Sequence, residues 1–261
     1  MHSEIQIEIL GNVSIVARGQ RHPVRANKVR TMLATLALSP GVAISHDELC
    51  DELWSTNTLG NSRNALQAHA TRLRRLLQGP AATRGAGADL LRSVRNGYVL
   101  DVAPEAVDGN RFLDLAAQGG AAVAAHPERA VELLQRGLEL WRGPALLDAG
   151  DGLRCRAAAA LFDERRLTAW EDLVAARLAV GDERRAVPEL RLLVGQHPLH
   201  ERFCEQLMLA LYRCGRQGEA LELFHRTRRL LNAELGLEPG LPLQRRYSEI
   251  LNHDPALAPA G

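Results

Sequence analysis

Apolar and polar positions alternate at the start of the chain and then change period. Ile5, Ile7 and Ile9 alternate with Glu4, Gln6 and Glu8, the period-two pattern of a half-buried strand. Gly11-Asn12 turns the chain into a second strand over residues 13–17, and Arg18-Gly19-Gln20 turns it again toward residues 23–25, which predicts a small antiparallel sheet. From residue 27 the spacing becomes helical. A first helix is expected over residues 27–38, with Val29, Leu33, Leu36 and Ala37 as its apolar stripe and Pro40-Gly41 ending it. A second opens at Ser45-His46-Asp47-Glu48. That is a capping box: the Ser45 hydroxyl can accept from the Glu48 N–H while the Glu48 carboxylate reaches back. Leu49, Leu53 and Trp54 supply its buried side. A third helix should start at Asn61 or Ser62 and reach about Gln78.

Placed at about 100° per residue, Leu66, Ala70, Leu73 and Leu77 of this third helix fall on one narrow stripe and should face the core. Opposite lie Asn64, Ala68, Thr71, Arg72 and Arg75, with Gln67 and Arg74 at one edge and Arg63 and His69 on the flanks. Such a face suits a major groove: Asn and Gln pair with adenine edges, Arg with guanine or phosphate, and Ala68 allows close approach. A solvated helix face has the same composition, so the helix alone does not decide. The segment Leu90-Leu91-Arg92-Ser93-Val94-Arg95-Asn96-Gly97-Tyr98-Val99-Leu100 reads as strand, Asn-Gly turn and strand, since both turn residues tolerate positive φ. Arg92 and Arg95 make the hairpin basic. Sheet, three helices and basic hairpin, in that order, describe a winged helix-turn-helix. Its third helix would enter the major groove, with the wing on the adjacent backbone or minor groove.

From Asp108 onward the pattern is helical throughout, with breaks near residues 125–127, 142–151, 181–182, 197–198, 213–218 and 236–242. Gly181, Ala186, Leu190 and Val194 recur 34 residues later as Gly215, Ala220, Phe224 and Arg228, and Leu173 and Ala176 recur as Leu207 and Ala210. This is a degenerate tetratricopeptide period, and such repeats offer a concave face to a partner. The fold class expected is mainly α. A winged helix domain occupies residues 1–102, helical repeats occupy 103–251, and a Pro/Ala-rich disordered tail occupies 252–261.

Three stretches carry a family resemblance. They are Asp47-Glu48-Leu49-Cys50-Asp51-Glu52-Leu53-Trp54, then Asn64-Ala65-Leu66-Gln67-Ala68-His69-Ala70-Thr71-Arg72-Leu73-Arg74-Arg75-Leu76-Leu77, then Gly97-Tyr98-Val99-Leu100. Together they resemble the OmpR-type domain of the Streptomyces antibiotic regulatory proteins. Farther on, Leu140-Trp141-Arg142-Gly143-Pro144-Ala145-Leu146, Leu199-His200-Glu201 and Leu235-Gly236-Leu237-Glu238-Pro239-Gly240 are similar to the bacterial transcriptional activation domain of those regulators. Two departures stand out: residues 55–61 lack the Pro-rich turn usual after the Trp, and residues 79–89 form a small-residue linker.

The resemblance implies an activator of a secondary-metabolite gene cluster. Its partners would be double-stranded promoter DNA carrying direct repeats near the −35 element, RNA polymerase holoenzyme engaged through its σ factor and other subunits, and a second copy side by side on DNA. The DNA-contacting set would be Arg63, Asn64, Gln67, Ala68, Thr71, Arg72, Arg74 and Arg75 on the helix, with Arg92, Arg95, Asn96 and Tyr98 on the wing. Two other readings share these residues: a repressor of the same architecture, and a repeat scaffold that docks protein rather than DNA.

Charge sharpens the division. Residues 1–102 hold 12 Lys/Arg against 8 Asp/Glu and the remainder 20 against 23, a basic half followed by an acidic one, as a DNA-facing module joined to a partner-facing module would have. Every cation but Lys28 is an arginine, which reflects a GC-rich genome rather than function. The four cysteines are scattered with no C-x-x-C pair, so buried free thiols are expected rather than disulfides or zinc. No P-loop is present, and no nucleophile, base and orienting group can be assembled, so neither catalysis nor a cofactor is expected. His197 and His200 lack a third metal ligand nearby, and the mixed-charge runs at residues 164–166 and 182–185 read as solvated helix surface. With no basic leader before an apolar stretch and no apolar run of about 20 residues, a cytoplasmic, nucleoid-associated protein is expected.

Overall fold

The computed structural model describes residues 5–54, 62–78 and 90–258. The expectations for Glu4, for the loop at 55–61, for the linker at 79–89 and for residues 259–261 lie outside the described residues. Two compact units are formed, one from Met1–Ala116 with Arg136–Leu167, the other from Ala117–Gln135 with Thr168–Gly261.

The first unit begins with the antiparallel sheet β1(Ile5–Glu8), β2(Ser14–Ala17), β3(Gln20–Pro23), in that spatial order. Ile7 pairs with Ile15, and Ile7, Ile9 and Ile15 are buried, as alternation requires. Three helices follow: α1(Asn27–Ala37), α2(His46–Trp54) and α3(Ser62–Gln78). The capping box at α2 forms as its spacing predicts. Ser45 N–H and Oγ donate to Glu48 Oε2 at 2.9 and 2.7 Å, and Glu48 N–H donates to Ser45 Oγ at 3.2 Å.

One strand was not legible. β4(Ala43–Ser45) pairs with β6(Gly97–Leu100), which pairs in turn with β5(Leu91–Val94). Three residues are too few to display a period, and only the partner strand makes them β. The wing turn is also shifted by one residue, because Val94 pairs with Gly97 and the loop is Arg95-Asn96. Neither Arg95 nor Asn96 has positive φ. Gly97 is glycine for another reason: a Cβ there would overlap the Ile44 carbonyl of β4.

The first unit extends past residue 102. The start of α4(Asp108–Ala122), the end of α5(Pro127–Leu138) and the start of α6(Leu153–Ala179) belong to it. Asp108 accepts from the N–H groups of Ile9 (2.7 Å) and Leu10 (3.3 Å) and pairs with Arg142. The loop before α6 runs along the β1–β2 connection: Arg142 N–H donates to Leu10 O, Leu146 N–H to Ile9 O, and Val13 N–H to Asp148 Oδ1. Phe112 meets Trp141 edge-on at 5.2 Å, and Arg166 sits over Trp141 at 4.5 Å. Arg166 is thus half-buried, not the solvated charge its sequence context suggests.

The second unit holds the remainder of α6 together with the packed helices α7(Glu183–Gln196), α8(Glu201–Arg213), α9(Gln217–Leu235) and α10(Leu241–Leu251). The 34-residue period is visible in backbone detail. Gly181 and Gly215 are both left-handed, with φ of +78° and +75°. Each ends a helix with matching bonds, Asp182 N–H to Arg177 O and Arg216 N–H to Leu211 O, both 2.9 Å, a Schellman closure repeated. Leu173, Ala176, Ala186, Leu190, Leu207, Ala210, Ala220 and Phe224 are all buried. The expected disordered tail is ordered through residue 258. Leu257 is buried, Arg213 donates to its carbonyl, and Asp254 caps the short turn at Pro255–Leu257. Cys155 and Cys204 are buried, with burial pushing the Cys155 thiol up to about 11, whereas Cys50 is half-buried and Cys214 exposed at the end of α8.

Candidate nucleic-acid interface

The apolar stripe of α3 decides what its other face can do. Leu66, Ala70, Leu73 and Leu77 are buried against α1 and α2, and each leucine contributes about 1.5–3 kcal/mol of burial. That anchoring turns Arg63, Asn64, Gln67, Ala68, Thr71, Arg72 and Arg75 outward, and all seven are exposed. Thr71 Oγ1 donates to Gln67 O at 3.0 Å, which leaves its oxygen able to accept a further hydrogen bond. Arg63, Arg72 and Arg75 form no ion pair among the described residues.

Arg74, at the edge of that face, is engaged otherwise. Its Nε donates to Leu91 O (3.0 Å) and its Nη2 to Ser93 Oγ (2.7 Å), and its guanidinium lies 5.8 Å from the Tyr98 ring centroid. It therefore ties α3 to the first wing strand. Tyr98 is 5% exposed and meets His46 edge-on at 5.4 Å; burial pushes its phenol up. Arg74 and Tyr98 thus join α3 to the wing. Arg92, on the outer wing strand, pairs with Asp101 at 2.7 Å, both half-exposed. Arg95 and Asn96 are exposed at the wing tip, and the Asn96 carbonyl accepts from His46 N–H at 2.9 Å. Wing tip and helix α2 are therefore fastened together.

His69 sits behind the exposed face, 6.0 Å from the Trp54 ring. Burial, then the charges of Arg72 and Lys28, hold its imidazole below the ordinary 6.5, so it is neutral at physiological pH. The neighbouring cation Lys28 donates to the Leu53 carbonyl at the end of α2. Two residues that build this unit were missed by sequence reasoning, Glu52 and Asp108. Both are buried carboxylates that accept from backbone N–H groups far away in the chain, and only the tertiary contacts identify them.

No group of three or more His, Cys, Asp or Glu able to hold a metal occurs among the described residues. His200 instead stacks on Phe203 at 4.2 Å and meets Glu171 at 3.2 Å. No described helix is long and apolar enough to cross a membrane.

Comparison with known proteins agrees with this geometry. Residues 24–100 match the family model of the C-terminal domain of transcriptional regulatory proteins, and residues 107–251 match that of the bacterial transcriptional activator domain. The chain is 55% identical over 253 residues to the transcriptional regulator RedD of Streptomyces coelicolor, covering 97% of this chain and 72% of that one. It is 35% identical to the regulatory protein DnrI of Streptomyces peucetius, covering 97% and 94%. A solved structure of Mycobacterium tuberculosis EmbR, in complex with a low-affinity phosphopeptide, superposes with a TM-score of 0.89. It is 29% identical, over 97% of this chain and 66% of that one.

Proposed function

We propose that this chain, which belongs to the Streptomyces antibiotic regulatory protein family of transcriptional activators, binds promoter DNA with the outer face of α3 and the tip of the β5–β6 wing and switches on a secondary-metabolite gene cluster. The observation that carries the reading is one helix face on which Asn64, Gln67, Ala68 and Thr71 stand among Arg63, Arg72 and Arg75, all exposed. In the major groove Gln67 and Asn64 would meet adenine edges, and Arg72 and Arg75 guanine or phosphate. Arg95 and Asn96 would touch the neighbouring backbone. The DNA site would be a direct repeat near the −35 element, so two protomers would lie head to tail rather than about a two-fold axis. The bound protein would recruit RNA polymerase through σ factor and other subunits, acting in the cytoplasm on the nucleoid.

Selection from a random-sequence duplex library, followed by footprinting on the promoters that contain the enriched sequence, tests the DNA reading. The expected result is a repeated motif bound with steep salt dependence. A pool that never enriches would sink it and favour a protein-docking scaffold. Transcription with purified polymerase tests the output: transcript above the polymerase-alone level supports activation, and transcript below it makes the protein a repressor.

A further inference from the structure

Glu52 is a glutamate on a buried position of α2, the helix packed against α3. Its carboxylate does not face water or a neighbouring arginine fork. It lies at the start of α6, where the N–H groups of Arg154 and Cys155 donate to its two oxygens, the second at 3.4 Å. A helix leaves its first N–H groups without internal partners and carries partial positive charge there, so a carboxylate is a favourable cap. Here the cap comes from a residue 102 positions earlier in the chain. The sequence accommodates it: Gly152 is glycine in a place where a Cβ would overlap the Glu52 carboxylate.

The same junction is crossed by other contacts. The Arg154 guanidinium donates to Ser39 Oγ at 2.9 Å and approaches Glu48 at 3.7 Å, and the Cys155 thiol lies 3.7 Å from Thr35 Oγ1. At its other end α2 is bonded to the wing tip through His46 N–H and the Asn96 carbonyl. Wing tip, α2, Glu52 and the first turn of α6 thus form one connected chain of hydrogen bonds, with α3 packed along α2.

We propose that Glu52 is a positioning residue that links DNA engagement by α3 and the wing to the N-terminus of α6. The proposal rests on the DNA-binding reading above. Coupling between sites is reciprocal: if holding α2 on DNA tightens the cap, losing the cap weakens DNA binding by the same factor. A helix cap that serves stability alone would be indifferent to DNA.

The test is amide exchange at Arg154 and Cys155 in the full chain, with and without a duplex enriched by the wild-type protein from a random library. DNA should slow exchange at these two amides about tenfold in the wild type. Glu52→Ala should bind the duplex about tenfold more weakly and lose the slowing. Glu52→Gln keeps the side-chain volume and one acceptor, carries the test if Glu52→Ala does not fold, and should retain only part of the slowing. Gly152→Ala should mimic Glu52→Ala in the wild-type background and add nothing to it in the Glu52→Ala background. Wild-type exchange unchanged by a bound duplex overturns the coupling alone, as does full slowing in both Glu52 variants. Failure to enrich any duplex overturns the DNA reading and the coupling with it.

Discussion

Most arginines on the helical repeats of the second unit are paired with carboxylates, whereas three on the outer face of α3 stand together without a partner among the described residues. On the repeats most are paired: Arg191 and Arg216 with Glu219, Arg228 with Glu238, Arg202 and Arg246 with Glu205, and Arg213 with Glu183, while Arg184, Arg226 and Arg245, one on each of α7, α9 and α10, make no ion pair among the described residues. On α3, Arg63, Arg72 and Arg75 make no ion pair among the described residues. A guanidinium already forked onto a carboxylate brings little positive field to a phosphate, because that partner must first be given up. An unpaired one offers its full charge and releases counterions on binding. Arginine count therefore says little about nucleic-acid binding; arginine pairing says much.

The strongest way to break this comparison is to remove Arg72 and Arg75 together. Duplex affinity should fall at least about thirtyfold, at about 1–3 kcal/mol per side chain, and the slope of log affinity against log salt should drop by about one for each phosphate no longer neutralised. Arg191→Ala with Arg216→Ala in the second unit should leave both quantities unchanged. If the two double variants behave alike in a gel shift, pairing is not what separates the regions.

Single substitutions on the face come next. Gln67→Ala should cost about 1–3 kcal/mol on the cognate site and little on random DNA, the mark of a base reader. Footprints of wild-type strength would remove Gln67 from the recognition set. Arg74→Ala tests the boundary of the face. Because its guanidinium is committed to Leu91 O and Ser93 Oγ, the variant should lose about 1–2 kcal/mol of folding stability. Its salt slope should match the wild type, and a slope reduced by one would make Arg74 a phosphate-binding residue instead.

A smaller effect comes from pH. Because His69 is held below its ordinary 6.5, the unfolded chain takes up the proton first. The stability tied to neutral His69 is complete above the ordinary value and is lost as pH falls through it and on through the folded one. Melting temperature should thus decline less between about pH 8 and about pH 5 in His69→Gln than in the wild type. Equal declines would show that another group dominates. Smallest of all, Arg228→Ala removes an exposed ion pair in the second unit and should shift neither melting temperature nor DNA affinity measurably.

The two faces of α3 were readable from sequence because burial and exposure follow its period. Leu66, Ala70, Leu73 and Leu77 could only face one way, and that fixed where Asn64, Gln67 and Arg75 stand. The Ser45–Glu48 box was readable because cap and partner are three residues apart. The 34-residue repeat was readable because Gly181 and Gly215 mark the same turn. Less accessible were strand β4, which is β only because β6 runs beside it, and the wing turn, where Gly97 answers to Ile44 rather than to turn geometry. The roles of Arg74 and Tyr98 as wing supports depend on contacts across 17 or more positions.

By itself, then, the sequence determined the local and periodic features: which face of each helix is buried, where helices stop, and which polar side chains share the outer face of α3. These follow from interactions within a few residues, where spacing alone decides what meets. The tertiary structure decided which charges are spent and which are free. Arg142 is taken by Asp108 and the α6 amides by Glu52, each across a separation that no periodicity encodes. A charge acts through the partner nearest in space, and nearness in space between distant residues is set only when the chain has folded.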